Sequence, residues 1–225
     1  MDSQALGKLS RLFWLGRYVS RVITEIEIME DVYDTTIDGP DFDYATFCRD
    51  LEIPNVYESS DDFVQRFMFD KDDPYSIIST MNHAYDNAIV LREVISSNSL
   101  SYIQMAVNTL ESTASGLAPM LDLQSAVDAL YAFQGCIEDT LFDDTSRNTL
   151  KCGSIIERID IDVRLSYRLD TLTHEMTLLS YRMRQMPLQR DGKRLALLLD
   201  LAPNPDPVHN RTILIDCIEG LFPGV

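Results

Sequence analysis

The sequence predicts an all-α fold, and three observations carry that prediction. Leu, Ile, Val, Met and Ala recur at three- and four-residue spacing, the period that lays an apolar stripe along a helix. Alternation at period two, which would mark half-buried strands, is almost absent. With 225 residues, 45% of them hydrophobic and only nine glycines and nine prolines, the chain is long enough for one well-formed core or a tight pair of subdomains. No low-complexity segment or flexible linker divides it, so residues 1–225 are read as a single helical bundle.

The elements follow in order. A first long helix is expected from about Leu9 to Tyr33, stopping before Asp38-Gly39-Pro40. Phe13, Trp14 and Tyr18 fall within two of its turns and read as packing residues, with Trp14 an anchor of the core rather than a ligand platform. Residues 38–73 are rich in Asp, Ser and Pro and form an irregular helical excursion or lid, with short apolar pieces at Tyr44 to Leu51 and Phe63 to Phe69. Pro74 fits the first turn of the next helix, with Asp72 or Asp73 as its cap, because proline lacks the amide hydrogen that this position leaves unused. That helix is expected to reach Ile95 on the stripe Ile77, Met81, Ala84, Ala88, Leu91 and Ile95. Further helices fit Leu100–Thr113, Met120–Phe142, Leu150–Met186, Lys193–Leu201 and Val208–Leu221, with a bend or division of the longest near Asp170. Breaks fall at Gly116-Leu117-Ala118-Pro119 and at Ala202-Pro203-Asn204-Pro205-Asp206-Pro207.

Two of these helices carry a related motif, Gly16-Arg17-Tyr18-Val19-Ser20-Arg21 and Gly153-Ser154-Ile155-Ile156-Glu157-Arg158, a repeated Gly-x-x-x-x-Arg. Glycine inside a helix costs about 1 kcal/mol relative to alanine, so two helix-interior glycines in matching positions call for a reason, and close approach of two backbones supplies one. In the second copy Gly153, Glu157, Asp160, Arg164 and Arg168 share one helix face. Asp160 and Arg164 stand in the favourable acid-before-base order, and Glu157 is left for another partner. Facing outward, as such a stripe commonly does, these are surface ion pairs of little worth; facing inward, every charge needs compensation. At the same offset the first copy keeps the glycine but has Ser20, Ile23 and Glu27 in place of Glu157, Asp160 and Arg164. It offers instead Arg17 and Arg21 one turn apart, able to grip a carboxylate or phosphate or to pair with the acids of the second copy.

Charge is unevenly spread. The chain has a formal net charge of -17, and residues 1–144 hold 26 of the 36 acids against 8 of the 19 bases. The front two-thirds should repel nucleic acid and favour a basic partner, or form a solvated acidic face. Arg182, Arg184, Arg190, Lys193 and Arg194, with Asp191 the one acid among them, form either an anion-holding group or a basic helix–loop–helix corner. No stretch is apolar enough to span a bilayer and the start does not read as a signal peptide. Cys48, Cys136, Cys152 and Cys217 show no paired spacing, as expected of reduced thiols, so a cytoplasmic protein is expected. His83, His174 and His209 are scattered and lack the Glu-x-x-His spacing of helical di-metal sites; neither a metal nor another cofactor is expected. A nucleophilic cysteine would need a positioned base, which the sequence does not supply.

The chain resembles the alpha-E family of bacterial helical proteins. The resemblance is carried by Leu9-Ser10 through Arg21; by Asp73-Pro74-Tyr75-Ser76-Ile77 with Ala84, Asn87, Ala88, Arg92, Glu93 and Ser96-Ser97; by Phe133, Gly135 and Thr140; and by Gly153, Glu157, Arg158, Asp160 and Arg164. Ser20 and Ser154 depart from it, standing where the family usually has a glutamate and an arginine. It implies a helical protein that works beside ATP-grasp ligases and transglutaminase-like proteins in ATP-dependent amide or peptide bond formation. A non-catalytic accessory or interaction protein with a ligase-like partner is therefore the expected function, since no nucleotide-binding loop is present. The alternative is a ligand-binding or catalytic bundle in which Arg17, Arg21, Arg158 and Arg164 hold an anionic small molecule while Glu157 or Asp160 acts as acid or base. Asn87, Arg92 and Glu93 are further contact candidates, and Gly16, Gly135 and Gly153 are structural.

Overall fold

A computed structural model describes residues 3–36, 42–114 and 119–224. Among the described residues there are ten α-helices and no strand, as the apolar period requires. They are α1 (Ser3–Thr36), α2 (Tyr44–Leu51), α3 (Ser60–Phe69), α4 (Ile77–Val90), α5 (Ser97–Thr113), α6 (Pro119–Thr140), α7 (Asp144–Leu165), α8 (Leu172–Met183), α9 (Gly192–Leu201) and α10 (Arg211–Glu219). The expected stop at Asp38-Gly39-Pro40 and the break at 116–118 lie outside the described residues.

The chain divides into two compact units, one of residues Met1–Ser20 with Asp143–Val225 and one of Arg21–Phe142. In the first, α1 contributes its early turns, α7 packs with α8 and α10, and α9 packs with α8 and α10. Leu12, Leu15, Leu150, Ile156, Ile159, Met176, Leu179 and Leu221 are buried there. In the second, α5 packs with α4 and α6, and α3 with α4. The acidic excess belongs to this second unit: it holds 23 acids and 5 bases, against 13 acids and 14 bases in the first.

From residue 42 onward, the excursion is more ordered than its composition suggests. Phe47, Tyr57, Phe63 and Phe67 are buried around α2 and α3, with Phe63 stacked on Phe67 at 5.1 Å and edge-to-face with Tyr57 at 5.0 Å. Each aromatic pair of this kind adds about 0.5–1.5 kcal/mol beyond its burial, enough to hold two helices of eight and ten residues that would not persist alone.

Several element boundaries differ from the expectation, among them the start of α7, at Asp144 rather than Leu150, where the Asp143 side chain caps the helix by accepting from the Ser146 N–H. Helix α4 starts at Ile77 rather than Pro74, because the Ser76 hydroxyl caps it by accepting from the Ser79 N–H at 3.1 Å. Neither Asp72 nor Asp73, the two expected caps, caps it: Asp73 accepts instead from the Tyr57 hydroxyl at 2.8 Å and the Tyr75 N–H at 2.9 Å. The same helix ends at Val90, since Ser96 caps α5 from an extended conformation and the chain must leave the helix first. Leu91 and Ile95 stay buried in the connection, so the stripe is continuous although the helix is not. The long 150–186 stretch divides at Ser166 and Arg168, both left-handed at φ 52° and 38°, a few residues before Asp170. Arg168 therefore leaves the charged stripe and lies over the Tyr167 ring at 4.8 Å.

The glycine argument holds for two glycines and fails for the third. A Cβ on Gly16 would sit 2.0 Å from the Leu150 carbonyl oxygen, and one on Gly153 would sit 2.0 Å from the Phe13 carbonyl oxygen. Both helices present bare backbone to each other at one crossing, and the Ser154 hydroxyl donates to the Gly16 carbonyl across it at 3.2 Å. Gly135 has open space where its Cβ would be, so packing does not ask for glycine there. Gly16→Ala and Gly153→Ala should each lower stability by about 1–3 kcal/mol or more in urea titrations, because the obstructing atoms are backbone. Gly135→Ala should raise it by about 0.5–1 kcal/mol, since it removes a helix-interior glycine without a clash. Equal effects at all three positions would refute the crossing.

Candidate functional site

The crossing of α1 on α7 sets up the charged group beside it. One residue past Gly16, Arg17 leaves α1 toward α7, and one turn past Gly153 the carboxylate of Glu157 faces it. The Arg17 Nε donates to Glu157 Oε2, and its Nη2 lies 3.5 Å from Asp160 Oδ2. Arg164, one turn further along α7, donates from Nε to Asp160 Oδ1 at 2.8 Å, the pair expected from their spacing. Its Nη2 donates to Glu219 Oε1 on α10. The guanidinium of Arg17 also lies over the Trp14 ring at 5.0 Å, so Trp14 backs an ion pair as well as packing against Phe13.

The stripe faces inward, against the expectation of a solvated face. Glu157 is 1% exposed, Asp160 3% and Arg164 6%, and Ser154 and Gly153 are buried with them. Two buried carboxylates and two guanidiniums compensate one another, which is the condition for placing such charges out of water. The balance is not even at Asp160. Burial, with the neighbouring Glu157 carboxylate, holds its acid above the ordinary carboxylate range, and Arg164 and Arg17 offset this only in part.

Arg158, the neighbour of Glu157, points a different way. Adjacent helical residues diverge by about 100°, so Glu157 turns to α1 while Arg158 turns to α8, where its Nη2 donates to Glu175 Oε2 at 2.8 Å. The Glu157-Arg158 dipeptide thus joins three helices, α1, α7 and α8, through two consecutive side chains. Glu175 and Glu219 carry no motif signal in the sequence: Glu175 lies 17 residues from Arg158 and Glu219 55 residues from Arg164, each on a different helix from its partner.

The other candidates are placed elsewhere. Arg21 is half-buried on α1 within the second unit, as is Asn87 on α4. Arg92 and Glu93 are exposed in the turn after α4 and pair with each other at 3.4 Å, a surface contact of small energetic weight. The basic corner is dispersed: Arg194 pairs with Asp216, Arg182 donates to Asn148 Oδ1 at 3.1 Å, and Arg190 donates to the Met183 carbonyl at 3.1 Å.

Four free cysteines divide by environment. Burial pushes the Cys152 thiol up to about 12 and Cys48 to about 11, leaving both inert at neutral pH. Cys136 goes the other way: against a raising effect of burial, hydrogen bonds with Ser99, Ser96 and Thr140 hold its thiol below the usual value. Among the described residues no three His, Cys, Asp or Glu side chains gather as a metal site would require. No helix of the described residues is long and apolar enough to cross a membrane.

The raised acid of Asp160 has a stability consequence with a definite sign. The folded state keeps a proton that the unfolded chain releases, so its contribution is present at low pH and lost as pH rises through the folded-state value. Asp160→Asn cannot ionise and removes that loss. The melting temperature of the variant minus that of the wild type should therefore become more positive as pH rises from about 4 toward 7. A difference independent of pH would mean that Asp160 titrates as an ordinary carboxylate.

No curated protein and no solved structure matches the chain. A family model does, over residues 8–201, and its description is a predicted alpha-helical domain with a conserved ER motif. Glu157-Arg158 is the one Glu-Arg dipeptide in the sequence and the one whose two side chains bind different neighbouring helices. With most of its length matched and an all-helical architecture around that dipeptide, the chain belongs to the Alpha-E family.

Proposed function

We propose that the protein is a non-catalytic helical accessory or interaction protein, and that its partner is an ATP-grasp-like ligase of an ATP-dependent amide or peptide bond-forming system. The observation that carries the first half is the disposition of the motif charges. Arg17, Glu157, Asp160, Arg164 and Arg158 are engaged with one another and with Glu175 and Glu219, which is the arrangement of a staple between helices. The partner's identity follows from the family resemblance, and its chemistry from charge. Along the last turns of α1, Glu27, Glu30, Asp31 and Asp34 crowd together, and burial with these three like-charged neighbours raises the acid of Glu30. Like charges at this spacing destabilise a helix, and a basic surface docked there would relieve them.

A second reading is favoured by one observation. A buried carboxylate with a raised acid constant beside two guanidiniums is the environment in which enzymes keep an acid or base, so Asp160 fits a bundle acting on an anionic small molecule.

The two readings separate experimentally. Tagged protein would be mixed with an extract of its own organism at low and high salt, beside a variant carrying lysine at Glu30, Asp31 and Asp34. An ATP-dependent ligase should be recovered by the wild type, released at high salt and absent with the lysine variant. A bound small anion in place of a protein would turn the assignment to the second reading, and recovery of neither would reject both. On the accessory reading Glu157→Gln costs about 3 kcal/mol of stability, as expected for breaking a buried pair, and leaves ligase capture intact at temperatures where the variant is folded. Loss of capture with stability unchanged would contradict it.

A further inference from the structure

Helix α10 closes the charged group through Glu219. It is nine residues long, below the length at which a helix persists in water unaided. It lies beyond residue 201, where the family match ends, and joins α9 through Ala202-Pro203-Asn204-Pro205-Asp206-Pro207. Leu214, Cys217, Ile218 and Leu221 are buried at the i, i+3, i+4, i+7 spacing with which an amphipathic helix fills an apolar groove. Phe222 follows them, edge-to-face on Phe13 at 5.2 Å.

The polar contacts of α10 are complementary in sign to the surface it covers. Glu219 reaches Arg164, and Asp216 pairs with Arg194 at 2.8 Å. The Arg194 Nη1 also donates to the Asp216 main-chain carbonyl, placing a cation at the negative end of α10. It lies close over Gly220, where a side chain would meet the guanidinium carbon at 2.4 Å. The Glu219 side chain is 57% exposed although its partner Arg164 is 8% exposed, so water and a competing carboxylate can both reach that bond.

We infer that α10 is an exchangeable strap, and that the face of α7 and α9 beneath it is a docking groove for an amphipathic helix of a partner protein carrying a carboxylate in the place of Glu219. The partner's being a protein rests on the accessory reading above; the strap rests on geometry alone. When α10 lifts, Arg164 loses its outer acid, and the incoming helix supplies another. Helix α10 itself is the template for that ligand: four apolar residues on one face and acids at the positions that meet Arg164 and Arg194.

The test uses the full chain and a fluorescent peptide of residues 208–224. In the chain Leu214→Asp/Ile218→Asp, the strap's buried face is spoiled while α7 and α9 are unchanged. The peptide should bind this variant at least ~10-fold more tightly than the wild type, whose groove is filled and whose apparent affinity falls by the closed fraction. A peptide with Glu219→Gln should bind more weakly, and added salt should narrow the gap between the two peptides. In the wild type, α10 amides should exchange hydrogen faster than those of α7. Exchange of α10 only together with α7, failure of the variant to fold, or equal binding to both chains would each overturn the strap. Peptide binding without ligase capture would keep the strap and reject the partner; capture without peptide binding would do the reverse.

Discussion

The contact between α1 and α7 at Gly16 and Gly153 is the constraint on which the first unit depends. Each helix places a backbone carbonyl where the other would need a Cβ, so the approach is reciprocal and leaves room for no side chain on either glycine. At that separation the Ser154 hydroxyl reaches the Gly16 carbonyl, and Arg17, next in sequence, is carried onto Glu157 and Asp160. From Asp160 the chain of charges continues to Arg164 and ends on Glu219. A side chain at the crossing would move the helices apart and lengthen the bonds that span it, from Ser154 to Gly16 and from Arg17 to Glu157 and Asp160.

Placing this group inside the protein is costly in itself, and apolar residues of the same volume often stabilise a fold as well or better. What the charges add is direction. Glu157 accepts from a helix on one side of α7 while Arg158 donates to a helix on another, so a single turn fixes the azimuth of α7 relative to α1 and α8. An apolar turn would tolerate rotation by some tens of degrees; two hydrogen-bonded pairs aimed at different neighbours do not.

Much of the fold was legible in the sequence, and what was missed has physical reasons. The all-helical class and the pairing of Asp160 with Arg164 followed from periodicity and spacing, which are local properties, and the short apolar piece Tyr44 to Leu51 coincides with α2. The glycine crossing was legible because an interior glycine is a local cost that needs a distant benefit. The start of α4 was misplaced because Ser76 and Asp73 are both good caps, and only the tertiary bond from Tyr57 removes Asp73 from the contest. The inward turn of the charged stripe could not be read from α7 alone. Its compensation comes from Arg17, 140 residues away, and from Glu219, 55 residues away in the other direction. Gly135 carries no packing requirement, so the reason for glycine there is not steric.

The reciprocal crossing also makes the register of the two helices all-or-none. One residue inserted or deleted in α7 between Gly153 and Arg164 would rotate everything beyond it by about 100°, carrying part of the charged stripe away from its partners while the glycine stays pinned. Point substitutions at the surface of α7 leave that alignment untouched, whereas changes of length within this stretch do not. Natural variation in chain length should therefore collect in the connections and beyond α9, leaving the dozen residues from Gly153 to Arg164 fixed in number even where their identities change.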